Sequence, residues 1–157
     1  RFGNQATQNI HCHLQVSLRV GKTLKATTDF ERYAKESGHT IKNYHADNAP
    51  FRANEFVQDC TNKGQTIDYS GVGAHHQNGV AERSIRTVTT WARAMMLHSI
   101  IHWPAEARPD LWPMALDQAI YLRNNMPKRS TRMAPNELFT GTKFPNYNHL
   151  QRAHVWG

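Results

Sequence analysis

Only two cysteines, Cys12 and Cys60, occur in 157 residues, and neither has a CxxC neighbour. That excludes a disulfide-stapled scaffold, a zinc ribbon and a dithiol redox centre. Both read as small, buried apolar residues in a reducing compartment. Long hydrophobic runs are also missing. No stretch approaches the roughly 20 apolar residues of a membrane-spanning helix, and none reads as a signal peptide. There is no internal repeat, heptad or low-complexity segment, which excludes solenoid and coiled-coil architectures. Acids are scarce: 12 Asp and Glu stand against 19 Lys and Arg, for a net charge of +7. Such a balance favours a polyanionic partner, nucleic acid first and an acidic membrane surface second. The membrane reading is the weaker, because no helix sets Lys and Arg opposite a broad apolar face. A basic soluble protein with no anionic partner would carry the same charge.

What is present fits one folded domain with an ordinary core: 39% of residues are hydrophobic and 20% charged. The chain starts at Arg1 rather than Met and stops at His154-Val155-Trp156-Gly157, which predicts a piece of a longer polypeptide.

Periodicity predicts alternating strands and helices. Residues 8–16 read as a strand with Ile10, Cys12 and Leu14 on one face and His11 and His13 on the other. Two histidines at i and i+2 can ligate a metal, but no further ligand stands at suitable spacing, so a solvent-facing or sheet-covering role is favoured. Residues 22–37 predict a helix with Ala26, Phe30, Tyr33 and Ala34 inward and Gly38 as its stop. A short strand over 41–46 runs into Asp47, followed by a turn at Asn48-Ala49-Pro50. Residues 52–63 suit a helix with Phe56, Val57 and Cys60 inward, ended by Gly64, and residues 65–70 suit another strand. Glycines 71, 73 and 79 bracket a polar loop. Residues 80–98 form the longest predicted helix, with Ala81, Ile85, Val88, Trp91, Ala92 and Met95 on one side. Glu82, Arg86, Thr89 and Arg93 fall on the other. A further helix over 113–126 is closed by Pro127, and Pro135–Phe139 make a helical turn before Gly141. The pattern implies an α/β layer fold with a mixed sheet.

Two carboxylates stand out, Asp47 at a strand end and Glu82 early on the long helix. Phosphodiester chemistry needs an activated nucleophile and stabilised charge on the attacking and leaving oxygens, which two divalent ions about 3.5–4 Å apart supply. Mg²⁺ and Mn²⁺ prefer carboxylate oxygens drawn from several elements. The separation of 35 positions (82 − 47) leaves room for one helix and one strand. Each acid also has a plain structural reading. Asp47 can be an Asx-turn residue. Glu82 can serve the helix dipole and pair with Arg86 at i+4. Spacing leaves both open.

The segments His45-Ala46-Asp47-Asn48, Gly73-Ala74-His75-His76-Gln77-Asn78-Gly79 and Glu82-Arg83 closely resemble the integrase core of copia-type LTR retrotransposons. The likeness continues through Leu24-Lys25-Ala26, Phe30–Ala34, Trp103-Pro104, Leu111-Trp112-Pro113 and His154–Gly157, nearly the whole chain. The Gln-Asn-Gly-x-x-Glu-Arg motif is its most specific part.

The resemblance implies an RNase H-like fold of the retroviral-integrase-like superfamily, with a mixed central sheet flanked by helices. It implies residues 1–157 as a single integrase core domain, lacking the start of its first strand and its flanking domains. No His-His-Cys-Cys pattern supplies the family's zinc-binding amino-terminal module. The implied activity is metal-dependent 3′-end processing and strand transfer of element DNA, by a DDE-type polynucleotidyl transferase with two Mg²⁺ or Mn²⁺ ions. Residue by residue, Asp47 matches the second triad acid and Glu82 the third. The first falls at Asn4, 43 positions before Asp47 (47 − 4), and the earliest acid in the chain is Asp29. Asn offers a neutral carbonyl oxygen where the site needs an anion. Weak metal binding and strand transfer reduced by orders of magnitude follow. His75, His76, Gln77 and Asn78 match the family's active-site loop, and Arg83, Arg86 and Arg93 are candidate phosphate contacts. The implied partners are double-stranded DNA and further integrase subunits, with no membrane. The implied location is intracellular, in the nucleus or an element-derived particle. Two alternatives stay open: a nucleic-acid-binding remnant without catalysis, and another RNase H-like nuclease. Lys128, Arg129 and Arg132 form a second basic cluster, read as a solvated loop.

Overall fold

The computed structural model describes residues 2–3, 6–14, 19–46, 51–69 and 79–151. In chain order the elements are β1 (Phe2–Gly3), β2 (Ile10–His11), α1 (Val20–Glu36), β3 (Asn43–Ala46), α2 (Asn54–Asn62), β4 (Thr66–Tyr69) and α3 (Gly79–His102). A 3₁₀ turn (Pro109–Leu111), α4 (Trp112–Asn125), α5 (Pro135–Thr140) and α6 (Asn148–Gln151) follow. β1 pairs with β2, and β3 with β4. The described residues pack into two compact units, one over residues 13–80 and one joining residues 3–12 to residues 81–157.

In the first unit, β3 and β4 run parallel, in register from Asn43 opposite Thr66 to Ala46 opposite Tyr69. Parallel neighbours need a crossover, and α2 supplies it. β3 alternates, with Tyr44 and Ala46 buried and Asn43 and His45 exposed. Ala26 and Phe30 of α1, Tyr44, and Phe56 and Cys60 of α2 form the core. The Phe56 ring meets Tyr44 and Phe51 edge-on, with centroids 5.9 and 5.2 Å away, a favoured aromatic geometry.

α1 and α2 stop in the same way. Gly38 and Gly64 take left-handed φ of 80° and 66°, which glycine adopts without a Cβ clash. His39 N–H then donates to Ala34 O at 2.9 Å, and Gln65 N–H to Cys60 O at 2.8 Å. These bonds close the last turns in Schellman fashion. Beside the core, the Glu31 carboxylate accepts from Tyr44 Oη at 2.9 Å, Gln65 Nε2 at 2.9 Å and Lys63 Nζ at 3.0 Å. Burial, then the Glu31 charge, pushes the Tyr44 hydroxyl well above its ordinary range.

In the second unit, Val88 and Ala92 of α3 pack with Ala115, Leu116, Ala119 and Ile120 of α4 and with Ile10 of β2. Ala92, Ala115 and Ala119 are fully buried, and such small side chains let two helices approach closely. A row of carboxamides joins β2 to α4 and α5: Asn9 Nδ2 donates to Asn136 Oδ1 at 2.8 Å, and Asn136 Nδ2 to Asn125 Oδ1 at 3.1 Å. α5 starts with Pro135, suited to a helix start, and ends at Gly141 with φ of 70°.

Three sequence-based expectations change. Among the described residues of the strand expected over 8–16, only Ile10–His11 pair as strand, and Leu14 is exposed; residues 15 and 16 lie outside the described residues. The backbone of Ile10 bonds to an α4 side chain on one edge, so the apolar alternation does not continue into a longer ladder. His13 faces Asp29, with Nδ1 3.5 Å from Oδ2. Val57 is exposed rather than inward, because Phe56 and Cys60, one turn apart, define the buried line of α2. Ala81 and Ile85 are exposed as well. The buried line of α3 runs through Ser84, Val88, Ala92 and Ser99 instead. Cys60 is buried as expected, whereas Cys12 is only partly so.

Candidate functional site

Four of the expected site residues lie on α3. Glu82 stands in its first turn, where the N-terminal end of the helix dipole favours a negative charge. Glu82, Arg83, Arg86 and Arg93 are all exposed. At about 100° per residue, Glu82, Arg86 and Arg93 fall within an arc of about 40°, centred about 135° around the helix from the buried line. The i,i+4 ion pair between Glu82 and Arg86 does not form: among the described residues the Glu82 carboxylate has no ion-pair partner. Further along the helix, Thr89, Thr90 and Arg93 line a shallow recess of about 250 Å³ together with Trp112.

Asn4, Asp47 and the loop residues His75, His76, Gln77 and Asn78 lie outside the described residues. What flanks Asp47 is well defined. Ala46, immediately before it, is buried and pairs with Tyr69 of β4. The Tyr69 hydroxyl in turn donates to Phe51 O at 2.7 Å, and the Arg52 guanidinium stacks 5.2 Å over the Tyr69 ring. One residue thus holds the chain on both sides of segment 47–50. Sequence periodicity marks Tyr69 only as a strand residue; its bond to a backbone carbonyl eighteen positions away leaves no local signal.

Among the described residues, no three His, Cys, Asp or Glu side chains group as metal ligands. Nor is any described helix long and apolar enough to cross a membrane. A second feature missed by the sequence reading is Arg123 of α4. Its Nη2 donates to Ser84 Oγ at 3.3 Å and its Nη1 to Gln8 O at 3.4 Å. Burial lowers its pKa.

No protein-family profile matches the chain. Over 118 residues, 74% of its length, it is 28% identical to the retrovirus-related Pol polyprotein from transposon TNT 1-94 of Nicotiana tabacum. The chain spans about 8% of the length of that relative. Its fold is similar to that of the HTLV-2 integrase catalytic core domain, solved in complex with magnesium in a trimeric form. The TM-score is 0.62 at 14% sequence identity, covering 87% of this chain and 80% of that one. The fold is therefore the RNase H-like α/β fold of integrase catalytic cores, as the motifs implied. The chain is thus similar in sequence to a transposon Pol polyprotein and in fold to a retroviral integrase catalytic core.

Proposed function

We propose that residues 1–157 act as one catalytic core of a retrotransposon integrase, processing the 3′ ends of element DNA and joining them to target DNA. The observation that carries this reading is the exposed carboxylate of Glu82 at the start of α3, within the Gln-Asn-Gly-x-x-Glu-Arg motif. A hard-oxygen ligand without an ion-pair partner among the described residues fits a Mg²⁺ or Mn²⁺ site. Asp47 and Glu82 would hold the metal, which lowers the pKa of an attacking water and steadies charge on the leaving oxygen. Asn4 fits less well: its carboxamide oxygen is neutral, so a two-ion site there is short of one negative charge. Arg83, Arg86 and Arg93 would hold DNA phosphates along the exposed face of α3, and His75, His76, Gln77 and Asn78 would meet DNA near the cut. Double-stranded DNA and further copies of the chain are the partners, in the nucleus or an element-derived particle.

Asn4 favours a second reading, a DNA-binding remnant that no longer catalyses. Asn4→Asp separates the two. Labelled oligonucleotides carrying element ends are incubated with the chain, target duplex and Mg²⁺, and covalent joining is scored. Joining that rises at least tenfold in the variant supports the core reading, with Asn4 as its defect. A variant that binds DNA but never joins it supports the remnant. Cleavage without joining would instead indicate a nuclease.

A further inference from the structure

We infer that Arg123 and Lys128, set around Gln8, form a contact site for the phosphate backbone of duplex DNA, extended by Arg129 and Arg132 on the turn that follows α4. The inference rests on the DNA-binding reading above and places a contact on a surface that reading does not use.

Its basis is a group of cations without acids. Between Asp117 and Glu137 the sequence holds no Asp or Glu, yet it holds Arg123, Lys128, Arg129 and Arg132. Glu137, the next acid, is fully buried and bonded inward to Ala134, Phe144 and Tyr147. None of the four cations forms an ion pair among the described residues.

Two of them are positioned rather than loose. Arg123 reaches the Gln8 carbonyl and the Ser84 hydroxyl, and Lys128 Nζ donates to Gln8 Oε1. Both cations therefore meet at one residue, whose backbone is held at a left-handed φ of 59°. Their acceptors are neutral, so each bond steers a charge without cancelling it. Holding a guanidinium partly out of water with no counter-charge is costly, and an incoming phosphate offsets that cost. Burial, then the charge of Arg123, lowers the Lys128 pKa, which fits two cations close together.

The turn itself is closed. Lys128 N–H donates to Met133 O at 3.0 Å and Arg132 N–H to Lys128 O at 2.7 Å. Arg132 sits at φ of 55°, and both Arg129 and Arg132 are exposed. Residues 126–134 include no aromatic side chain. Cations without a stacking platform suit a duplex backbone better than splayed single-stranded bases.

The test is the salt dependence of binding to a 20-base-pair duplex, read by fluorescence anisotropy in EDTA so that metal chemistry plays no part. Each lost phosphate contact makes the slope of log K against log salt shallower by about 0.9. The double variant Lys128→Gln/Arg129→Gln is expected to be shallower by about 1.8, twice that contact value. The pair Arg129→Gln/Arg132→Gln, which leaves the bond to Gln8 intact, is expected to lose as much. Thermal melting checks that each variant folds. The control Lys25→Gln/Lys42→Gln removes two exposed cations elsewhere and should change the slope by less than half as much. An unchanged slope in both test variants, or an equal loss in the control, overturns the site. A loss confined to single-stranded RNA overturns its assignment to duplex DNA. If the unmodified chain fails to bind duplex at any salt, the DNA reading itself fails, which is a different result from normal binding that ignores these residues.

Discussion

The side-chain amide of Asn124 pairs with Ile10 as a neighbouring strand would. Ile10 N–H donates to Asn124 Oδ1 at 3.0 Å, and Asn124 Nδ2 donates to Ile10 O at 2.7 Å. Asn124 and Ile10 are both buried, so a helix residue satisfies a strand edge that water does not reach. Buried backbone groups require such partners. The clamp fixes β2 against α4.

Asn124→Leu removes both bonds and strands a buried N–H and a buried C=O. The expected loss of stability is about 2–6 kcal/mol, the sum of two unsatisfied groups at about 1–3 kcal/mol each, read by urea unfolding. A loss below about 0.5 kcal/mol, the range of an ordinary surface change, would show that the clamp contributes nothing.

Acid sensitivity is predicted from Glu137. Burial opposes its ionisation, but bonds from the Tyr147 hydroxyl and from the Ala134 and Phe144 N–H groups outweigh that and lower its pKa from 4.5. A carboxyl depressed on folding contributes stability that is fully present above the unfolded value and is lost as pH falls through the folded one. Melting temperature should therefore drop as pH is taken below about 4.5. Glu137→Gln should cost about 1.5–3 kcal/mol at neutral pH, the scale of one hydrogen bond to a charged group, and should flatten the acid limb. An acid limb as steep as the wild type's would assign the sensitivity to other carboxyls.

Neighbouring positions on α2 separate burial from hydrophobicity. Phe56 is fully buried between two aromatic rings, and Val57 beside it is 38% exposed. Phe56→Ala should cost about 3–5 kcal/mol, and Val57→Ala no more than about 0.5 kcal/mol. Comparable losses at the two sites would mean that Val57 is covered in solution.

The helix ends were legible because a glycine past the last apolar residue has a local cause: Gly38, Gly64 and Gly141 each take the left-handed turn that their position suggested. Phe30, Phe56 and Cys60 followed from helical spacing for the same local reason. Ala81 and Ile85 did not, since an apolar stripe states which side could be buried, not how far along the helix its neighbours extend. The amide of Asn124 was unreadable, because its partner lies 114 residues away, and so was the carboxylate of Glu137, whose partners Ala134, Phe144 and Tyr147 stand at 3, 7 and 10 positions, a set that no periodicity encodes. The candidate acids depended on motif resemblance; spacing left their structural roles open, and only the absent Glu82–Arg86 pair now weakens one of them.

Glu82 carries the sharpest contrast between stability and activity. Among the described residues the exposed Glu82 carboxylate has no ion-pair partner, so Glu82→Gln should cost no more than its helix-dipole contribution, about 0.3–1 kcal/mol, read by urea unfolding. If it is a metal ligand, Mg²⁺-dependent joining by the Asn4→Asp chain should fall by orders of magnitude when Glu82→Gln is added. Retained joining would remove Glu82 from the metal site. A large stability loss would show a structural role instead.

Tyr69 is predicted to act on Asp47 at a distance. Its backbone pairs with Ala46 and its hydroxyl holds Phe51 O, so it ties both ends of the segment that carries Asp47. Tyr69→Phe keeps the ring and its stacking with Arg52 but releases the Phe51 carbonyl. The stability cost should be about 0.5–1.5 kcal/mol, that of one neutral hydrogen bond. If the bond positions Asp47, joining by the Asn4→Asp chain should fall more than the fraction unfolded accounts for, and raised Mn²⁺ should recover part of it. The reason is that a displaced carboxylate weakens ion binding without removing the ligand. Joining that falls only in proportion to unfolding would confine Tyr69 to holding the fold.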